Sequence, residues 1–231
     1  MKQLIKKLKE LKNKYPIEDY FDWEVPKSVP IKIPCEIINN FDKNIYLKEN
    51  FADVLINDSD LKNHYWIIQE WGGIKSLKQN DRNNNKLKKL MVQLEKGKLT
   101  KEIFGLISSF SKVASFIDPT KYVIYDSRVI FSLNWLLFNY TSERALYPQP
   151  SSRNKALAQY DMNTIFNLTK QKYEYRTYKD AYHNYCNLMK TLTKEVYPNG
   201  KIYQLEMLLF IIAPEEIVNS IKNNVDIKIN I

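Results

Sequence analysis

Apolar residues recur at helical intervals along nearly the whole chain, and this periodicity constrains the fold more than any other feature. Between Leu87 and Leu94 they stand at positions i, i+3, i+4 and i+7, the stripe that one face of an amphipathic helix buries. A second and more apolar stripe runs from Val129 to Tyr140. The pattern predicts an all-α protein in which only the tail, 225–231, looks like a strand.

Composition limits the size of the core and the kind of protein. The chain has 231 residues, of which 44% are hydrophobic, enough for one sizeable core or for two small helical lobes that share a cleft. We expect a turn at Asn83–Asn85, because asparagines cluster in turns.

No apolar run reaches the ~18 residues of a membrane span, and the first residues lack the apolar core of a signal peptide. We therefore expect a cytoplasmic protein with no membrane partner.

Cysteine and histidine usage argues against a metal centre. The two cysteines, Cys35 and Cys186, exclude a four-cysteine zinc or iron–sulfur site within one chain. The two histidines, His64 and His183, fall in different predicted helices. We expect no metal and no cofactor.

Positive charge is concentrated in two segments. The chain carries a net charge of +9. Residues 1–14 hold six lysines and one acid, and residues 75–101 hold nine cationic residues and two acids. Such segments suit a polyanionic partner. A chain rich in Lys, Asn and Ile would also carry them as ordinary solvated surface, and charge alone leaves both interpretations open.

The segment 107–129 is the most informative in the chain. Its pattern predicts a helix, a tight turn at Ser108–Ser111, a short helix, a loop, and then a helix that opens at Asp126. Lys112 would lie at the start of the short helix. An aspartate is among the best N-cap residues, so Asp126 could serve only as a cap.

The same segment resembles the helix-hairpin-helix DNA glycosylases, the superfamily of endonuclease III and 8-oxoguanine glycosylase. Ser111–Ala114 matches the Lys-Val-Ala-like helix of that family, and Ile124–Val129 matches the start of its catalytic helix. The match covers about 25 residues and is closest to divergent bacterial forms, some of which act in phage defence. The family's hairpin glycines are replaced by Ser108–Ser111, and the cluster cysteines of the endonuclease III branch are absent.

This resemblance implies a fold, a set of lobes and two catalytic residues. The fold would be two-lobed and helical over residues 1–231, with one lobe from about 75 to 145 and the other from 1–74 together with 146–231. Asp126 would be the catalytic carboxylate, and Lys112 the nucleophile of a bifunctional enzyme or a local electrostatic element. One aspartate does both jobs in this family, so a capping role for Asp126 is compatible with catalysis.

Further residues are candidates for contacts with DNA. A glycosylase must hold the backbone and stack the extruded base, which requires cations, hydroxyl groups and aromatic rings. The candidates for the DNA backbone are Ser109, Ser111, Arg128, Lys86 and Lys89. The candidates for the base pocket are Trp71, Tyr125 and Phe110. Trp71 could equally be a core residue before a helix-ending glycine, and Glu206 could be either exposed or a satisfied buried acid.

The sequence thus predicts a monomeric DNA glycosylase that excises a modified base from double-stranded DNA, with a hypermodified phage base as the favoured substrate. Two other classes remain open. One is a non-catalytic nucleic-acid-binding helical protein. The other is a base-modification enzyme that uses the same pocket.

Overall fold

The structure, a computed structural model, describes residues 1–143, 145–152, 154–169 and 171–226. Helices dominate it, which confirms the all-α class. In chain order the α-helices are α1 (Lys2–Lys14), α2 (Ile17–Tyr20), α3 (Asn40–Asn50), α4 (Ala52–Ile56), α5 (Lys62–Trp66), α6 (Asp81–Glu95), α7 (Lys101–Phe104), α8 (Ile107–Ile117), α9 (Ser127–Tyr140), α10 (Lys155–Ala158), α11 (Met162–Asn167), α12 (Ala181–Val196), α13 (Ile202–Ile212) and α14 (Val218–Asn224). Two π-helical turns, Ile67–Trp71 and Ala213–Ile217, continue α5 and α13.

Strand content in the described residues is limited to one short pair. β1 (Ala145–Leu146) and β2 (Glu174–Tyr175) run parallel, with Ala145 opposite Glu174. The strand predicted for the tail lies in part outside the described residues, at 227–231. No helix in the described ranges is long and apolar enough to cross a membrane.

The long apolar helix α9 packs against α13, and α13 packs against α12. The first helix joins this group, because α1 lies against both α9 and α12. It does so through Leu4, Leu8 and Leu11, which are buried along one face. The N-terminal helix is therefore held by helices from the second half of the chain.

A second group of helices surrounds α8. The helices α3, α4 and α6 and the first π-helical turn all contact α8. Both groups belong to one continuous hydrophobic core. Contacts cross the predicted lobe boundaries, since α8 packs on helices from 1–74 and α9 packs on α13. The division into lobes stays a prediction.

The turn predicted at Asn83–Asn85 is wrong. These residues form the first turns of α6, because the side chain of Asn80 caps that helix by accepting the backbone N–H of Asn83 at 3.0 Å. An asparagine at the N-cap starts a helix as readily as it forms a turn. Beyond α6 the chain reverses at Gly97, whose φ of +71° suits glycine.

The tight turn predicted at Ser108–Ser111 is also wrong. The turn lies earlier, at Gly105 and Leu106, between α7 and α8. The Leu106 carbonyl accepts hydrogen bonds from the N–H groups of Ser109 and Phe110, so the helix has already begun. The three serines are part of that helix, and of these Ser111 is fully buried.

Candidate active site

Lys112 projects from the middle of α8, and the prediction that it starts a helix is wrong. Its side chain is 7% exposed. The ammonium donates to the carbonyl oxygen of Ser108, one turn earlier, at 2.9 Å. An ammonium has three hydrogens to donate, so this backbone contact leaves capacity for a second partner.

Asp126 is that partner, and it is also the N-cap of α9. Its Oδ1 accepts the backbone N–H of Arg128 at 2.8 Å. Its Oδ2 lies 3.6 Å from Nζ of Lys112, and the side chain is 22% exposed. The helix cap and the ion pair use different oxygens of one carboxylate, so the two roles do not compete.

A buried hydroxyl group holds the two segments in register. Oγ of Ser111 accepts the backbone N–H of Tyr125 at 2.8 Å. Ser111 precedes Lys112 and Tyr125 precedes Asp126, so this hydrogen bond links the two segments at the residues next to Lys112 and Asp126. Ser111 is fully buried, and the structure assigns it to positioning rather than to a surface contact with DNA.

A cavity of about 520 Å³ opens over the Lys112–Asp126 pair, and we call it the outer cavity. Among its described lining residues, Lys112, Arg128 and Lys155 are cationic and Asp126 is acidic. The remaining lining is mostly polar or aromatic, with two glycines and one aliphatic residue, and consists of Trp23, Gly72, Gly73, Ile74, Ser108, Ser127, Ser151, Ser152, Asn154 and Phe210. The excess of cations suits a substrate that carries phosphate.

Gly72 allows the lysine to reach this cavity. A Cβ at Gly72 would lie 2.6 Å from Cδ of Lys112 and 2.8 Å from the carbonyl oxygens of Ile67 and Ile68. Contacts this short are not tolerated by a side chain. The glycine pair after Trp71, which the sequence suggested as a helix end, is also a point of close approach for the catalytic candidate.

Beneath the pair lies a smaller cavity of about 50 Å³, the inner cavity. Its walls are mostly aromatic and apolar, and Glu206 supplies a carboxylate. The full lining is Phe21, Trp23, Trp71, Gly72, Lys112, Ile124, Asp126, Val129, Glu206 and Phe210. Trp23, Gly72, Lys112, Asp126 and Phe210 line both cavities, so the two spaces adjoin.

Trp71 is held rigidly in the wall of the inner cavity. Its indole N–H donates to Oδ1 of the buried Asn44 at 2.8 Å. Its ring meets Phe116 edge-on, with centroids 4.8 Å apart. Its carbonyl oxygen accepts the indole N–H of Trp23 at 2.9 Å. These bonds connect the two tryptophans and fix the shape of the wall.

Two buried charged residues are associated with this wall: Lys48 lies behind it, and Glu206 is part of it. Lys48 is 1% exposed and donates to Oγ of Ser115 at 2.7 Å. Burial lowers the pKa of Lys48 from 10.5 to about 8, opposed by the charge of Glu206. Burial likewise raises the pKa of Glu206, and the positive charge of Lys48 and the N–H of Ile124 oppose that rise.

Several predicted residues lie elsewhere. Phe110 is buried in the core, and Tyr125 is buried with its hydroxyl donating to the carbonyl of Pro148 at 2.8 Å. Neither lines the outer or the inner cavity; Phe110 belongs to the core, and Tyr125 lines a separate cavity beside the α7–α8 turn. Ser109 is nearly buried and faces that same cavity.

The cationic candidates differ in their surroundings. Arg128 lies at the outer cavity, and its guanidinium carbon is 4.5 Å from the ring centroid of Phe210. Lys86 pairs with Glu102 at 3.4 Å, and Lys89 is exposed on α6. Neither of these two lysines lines the outer cavity.

Sequence reasoning missed Trp23, Phe210 and Lys48, and it left Glu206 undecided. Trp23 lies within the proline-containing stretch 16–34, which has no helical periodicity, and Phe210 lies in an apolar run typical of core. Glu206 did carry a signal, since it is the acid inside the apolar run 205–213. A charge in such a run is rarely buried without a purpose.

In the described part of the chain, no group of three or more His, Cys, Asp or Glu side chains could hold a metal ion. In comparisons with known proteins, no family model, no curated protein and no solved structure matches the chain.

Proposed function

We propose that the protein is a DNA glycosylase with a two-lobed helix-hairpin-helix fold, which cleaves the N-glycosidic bond of a modified base. The observation that carries the proposal is the Lys112–Asp126 pair, 3.6 Å apart beneath a cavity with an excess of cationic residues. The resemblance of residues 107–129 to that superfamily supports it independently, because it selects the same two residues.

Asp126 would act on the sugar. Cleavage of the glycosidic bond builds positive charge at C1′, and a carboxylate beside that carbon stabilises the charge. It can also orient or deprotonate a water molecule that attacks C1′. Its Oδ1 is held by the helix cap, so Oδ2, which faces Lys112, is the oxygen that would serve the reaction.

Lys112 would act in one of two ways. As a neutral amine it attacks C1′, and the bond to the base breaks with its electron pair leaving on the base. The nitrogen then forms the C1′=N bond of a Schiff base as the C1′–O4′ bond breaks, and its two protons go to the departing base and to O4′ of the opened sugar. Asp126 Oδ2 can accept one of these protons and pass it on. As an ammonium, Lys112 instead holds Asp126 ionised and orients it for hydrolysis.

Double-stranded DNA would approach the face that carries the outer cavity. Arg128 and Lys155 at its mouth suit phosphate groups on either side of an extruded nucleotide. The exposed Lys89 and the other cations of residues 75–101 would add contacts that are independent of sequence. We propose that the protein acts as a monomer and, from the likeness to bacterial defence forms, on a hypermodified phage base.

The test measures base release by mass spectrometry from plain DNA and from phage DNA that carries hypermodified cytosine. We expect free modified base from the second sample only. Release from neither sample, and none from DNA with lesions such as 8-oxoguanine, would contradict the proposal. Salt-sensitive binding without an abasic product would then favour a binding module, and pyrophosphate release from nucleotides a base-modification enzyme.

Borohydride separates the two roles of Lys112, because it reduces a Schiff base to a stable adduct. A trapped protein–DNA adduct that disappears in Lys112→Gln and persists in Lys89→Gln identifies the nucleophile. Base release without an adduct assigns Lys112 the electrostatic role. Lys89 is a matched control because it is exposed and distant from the cavity lining.

A further inference from the structure

The inner cavity is too small for a whole base. A water molecule occupies roughly 30 Å³ of liquid, so about 50 Å³ accommodates one small substituent. A base ring would therefore lie in the outer cavity beside Trp23 and Phe210, which line both spaces. Only the group on its innermost edge would enter the inner cavity.

In the inner cavity this substituent would lie next to the carboxylate of Glu206. Its side chain is 6% exposed. Oε2 accepts the backbone N–H of Ile124 at 2.8 Å. Within the described residues Oε1 has no hydrogen-bond partner, and Glu206 lines the inner cavity. Oε1 is not one of the fully buried side-chain atoms that lack a partner, so it keeps access to the cavity, and a hydrogen-bond donor on a ligand there would reach it.

The positive charges of Lys48 and Lys112 favour the ionised, accepting form of Glu206, against the effects of burial and of Asp126, which raise its pKa. Four ionisable side chains interact here: Lys48 and Lys112 are cationic, and Glu206 and Asp126 are acidic. With all four ionised the charges balance, which is how buried charges are accommodated. The Ile124 N–H can only donate, so Oε2 is an acceptor already, and in the ionised carboxylate Oε1 is one too.

We propose that Glu206 selects the base, by accepting a hydrogen bond at Oε1 from an exocyclic amino group on its innermost edge. The substrate class would then be amino-bearing bases, such as cytosine and its derivatives, and their oxo counterparts would be rejected. A carbonyl oxygen facing this carboxylate would place two acceptors together with no hydrogen between them. This inference rests on the proposed function and adds the substrate preference of the same site.

The Glu206→Gln variant tests the proposal sharply because the Ile124 N–H fixes its orientation. The amide oxygen must accept that N–H, so the amide NH₂ group must face the inner cavity. The substitution therefore replaces the acceptor Oε1 with an NH₂ donor of nearly the same shape. The variant should therefore reverse the preference, rather than merely weaken it, and bind a carbonyl better than an amino group.

The experiment titrates free cytosine and free uracil into the intact protein and follows binding by ligand-observed NMR at neutral pH. We expect the wild type to bind cytosine at least about tenfold more tightly than uracil, because sites built around one hydrogen bond discriminate strongly. We expect the ratio to invert in Glu206→Gln. Glu102→Gln, which alters an acid paired with Lys86 on the surface, should leave the ratio unchanged.

Failure of this inference is distinguishable from failure of the proposed function. Equal binding of the two bases by the wild type, or binding of neither, overturns the role of Glu206 even if modified base is released from DNA. A cytosine preference that inverts in the variant supports Glu206 even if no DNA substrate is cleaved. The wild-type ratio alone decides the matter if Glu206→Gln fails to fold.

Discussion

The site contains two lysine–carboxylate combinations that differ in their access to solvent. The outer pair, Lys112 and Asp126, is in direct contact at 3.6 Å and opens onto a large cavity. The inner pair, Lys48 and Glu206, interacts electrostatically, with Lys48 behind the aromatic wall and Glu206 within it. Lys48 donates its hydrogen bond to Ser115, and Glu206 accepts one from the N–H of Ile124.

This difference in solvent access separates a pair suited to the reaction from a pair that affects the stability of the fold. Asp126 is partly accessible, and its Oδ2 faces both Lys112 and the cavity, so a change there should alter the reaction more than the fold. Lys48 is surrounded by protein and its ammonium depends on protein partners, so a change there should alter stability first. Buried charges are expensive unless paired and hydrogen-bonded, and Lys48 is the more deeply buried of the two lysines. The predictions below test this contrast.

The largest expected effect is on catalysis, in Asp126→Asn. We expect base release to fall by at least about a hundredfold, because a neutral amide does not stabilise the charge at C1′. The free energy of unfolding and the affinity for DNA should change little, since the amide oxygen still caps the N–H of Arg128. Mass spectrometry and urea titration measure the two. Asp118→Asn, in the preceding loop, is the control, and equal activity of both variants would contradict the assignment.

Next is Gly72→Ala, at the junction of the two cavities. The added methyl group would meet the Lys112 side chain and two carbonyl oxygens at under 3 Å. We expect it to lower the free energy of unfolding by about 1–3 kcal/mol, the usual cost of overpacking, and to displace Lys112. In Gly105→Ala the closest contact is 3.3 Å, so it should cost much less. Similar costs for the two would show that α8 has room to shift.

The third largest effect is expected from removing the hydrogen-bond acceptor of Lys48. Ser115→Ala leaves the buried Lys48 ammonium without its hydroxyl acceptor. We expect the free energy of unfolding to fall by about 1–2 kcal/mol, the cost of an unsatisfied buried donor. Ser109→Ala on the same helix removes a nearly buried hydroxyl that does not serve Lys48, and it should cost less. Urea titration compares them, and equal losses would mean that Lys48 finds another partner.

The smallest effect is the pH dependence that Lys48 contributes. Its pKa is about 8 in the folded protein and 10.5 in the unfolded chain. Between these values the unfolded state binds more protons, so the free energy of unfolding rises with pH. The difference between wild type and Lys48→Met should therefore shift in favour of the wild type as pH rises above 8. The buried tyrosines titrate in both proteins and cancel. A flat difference would mean that Lys48 titrates normally.

The sequence predicted the helices better than the turns and the site. The stripes of α6 and α9 were found because burial imposes a period of 3.6 residues on any helix at a core. The turns at Asn83–Asn85 and Ser108–Ser111 were misplaced, because asparagine and serine favour turns and helix starts for the same hydrogen-bonding reason. Lys112 and Asp126 were selected together only because a known family carries that pattern.

By itself the sequence determined the class of fold and the local geometry of Asp126, since helix periodicity and an aspartate cap depend on neighbours within a few residues. Only the tertiary structure brought Lys48, Trp23, Glu206 and Phe210 around the Lys112–Asp126 pair. Glu206 and Phe210 share α13, but Lys48 in α3 and Trp23 in the N-terminal segment are far from them in the chain, so no local interaction brings the four together. Their proximity results from how α3, α8, α9 and α13 share one core, which is a property of the whole chain.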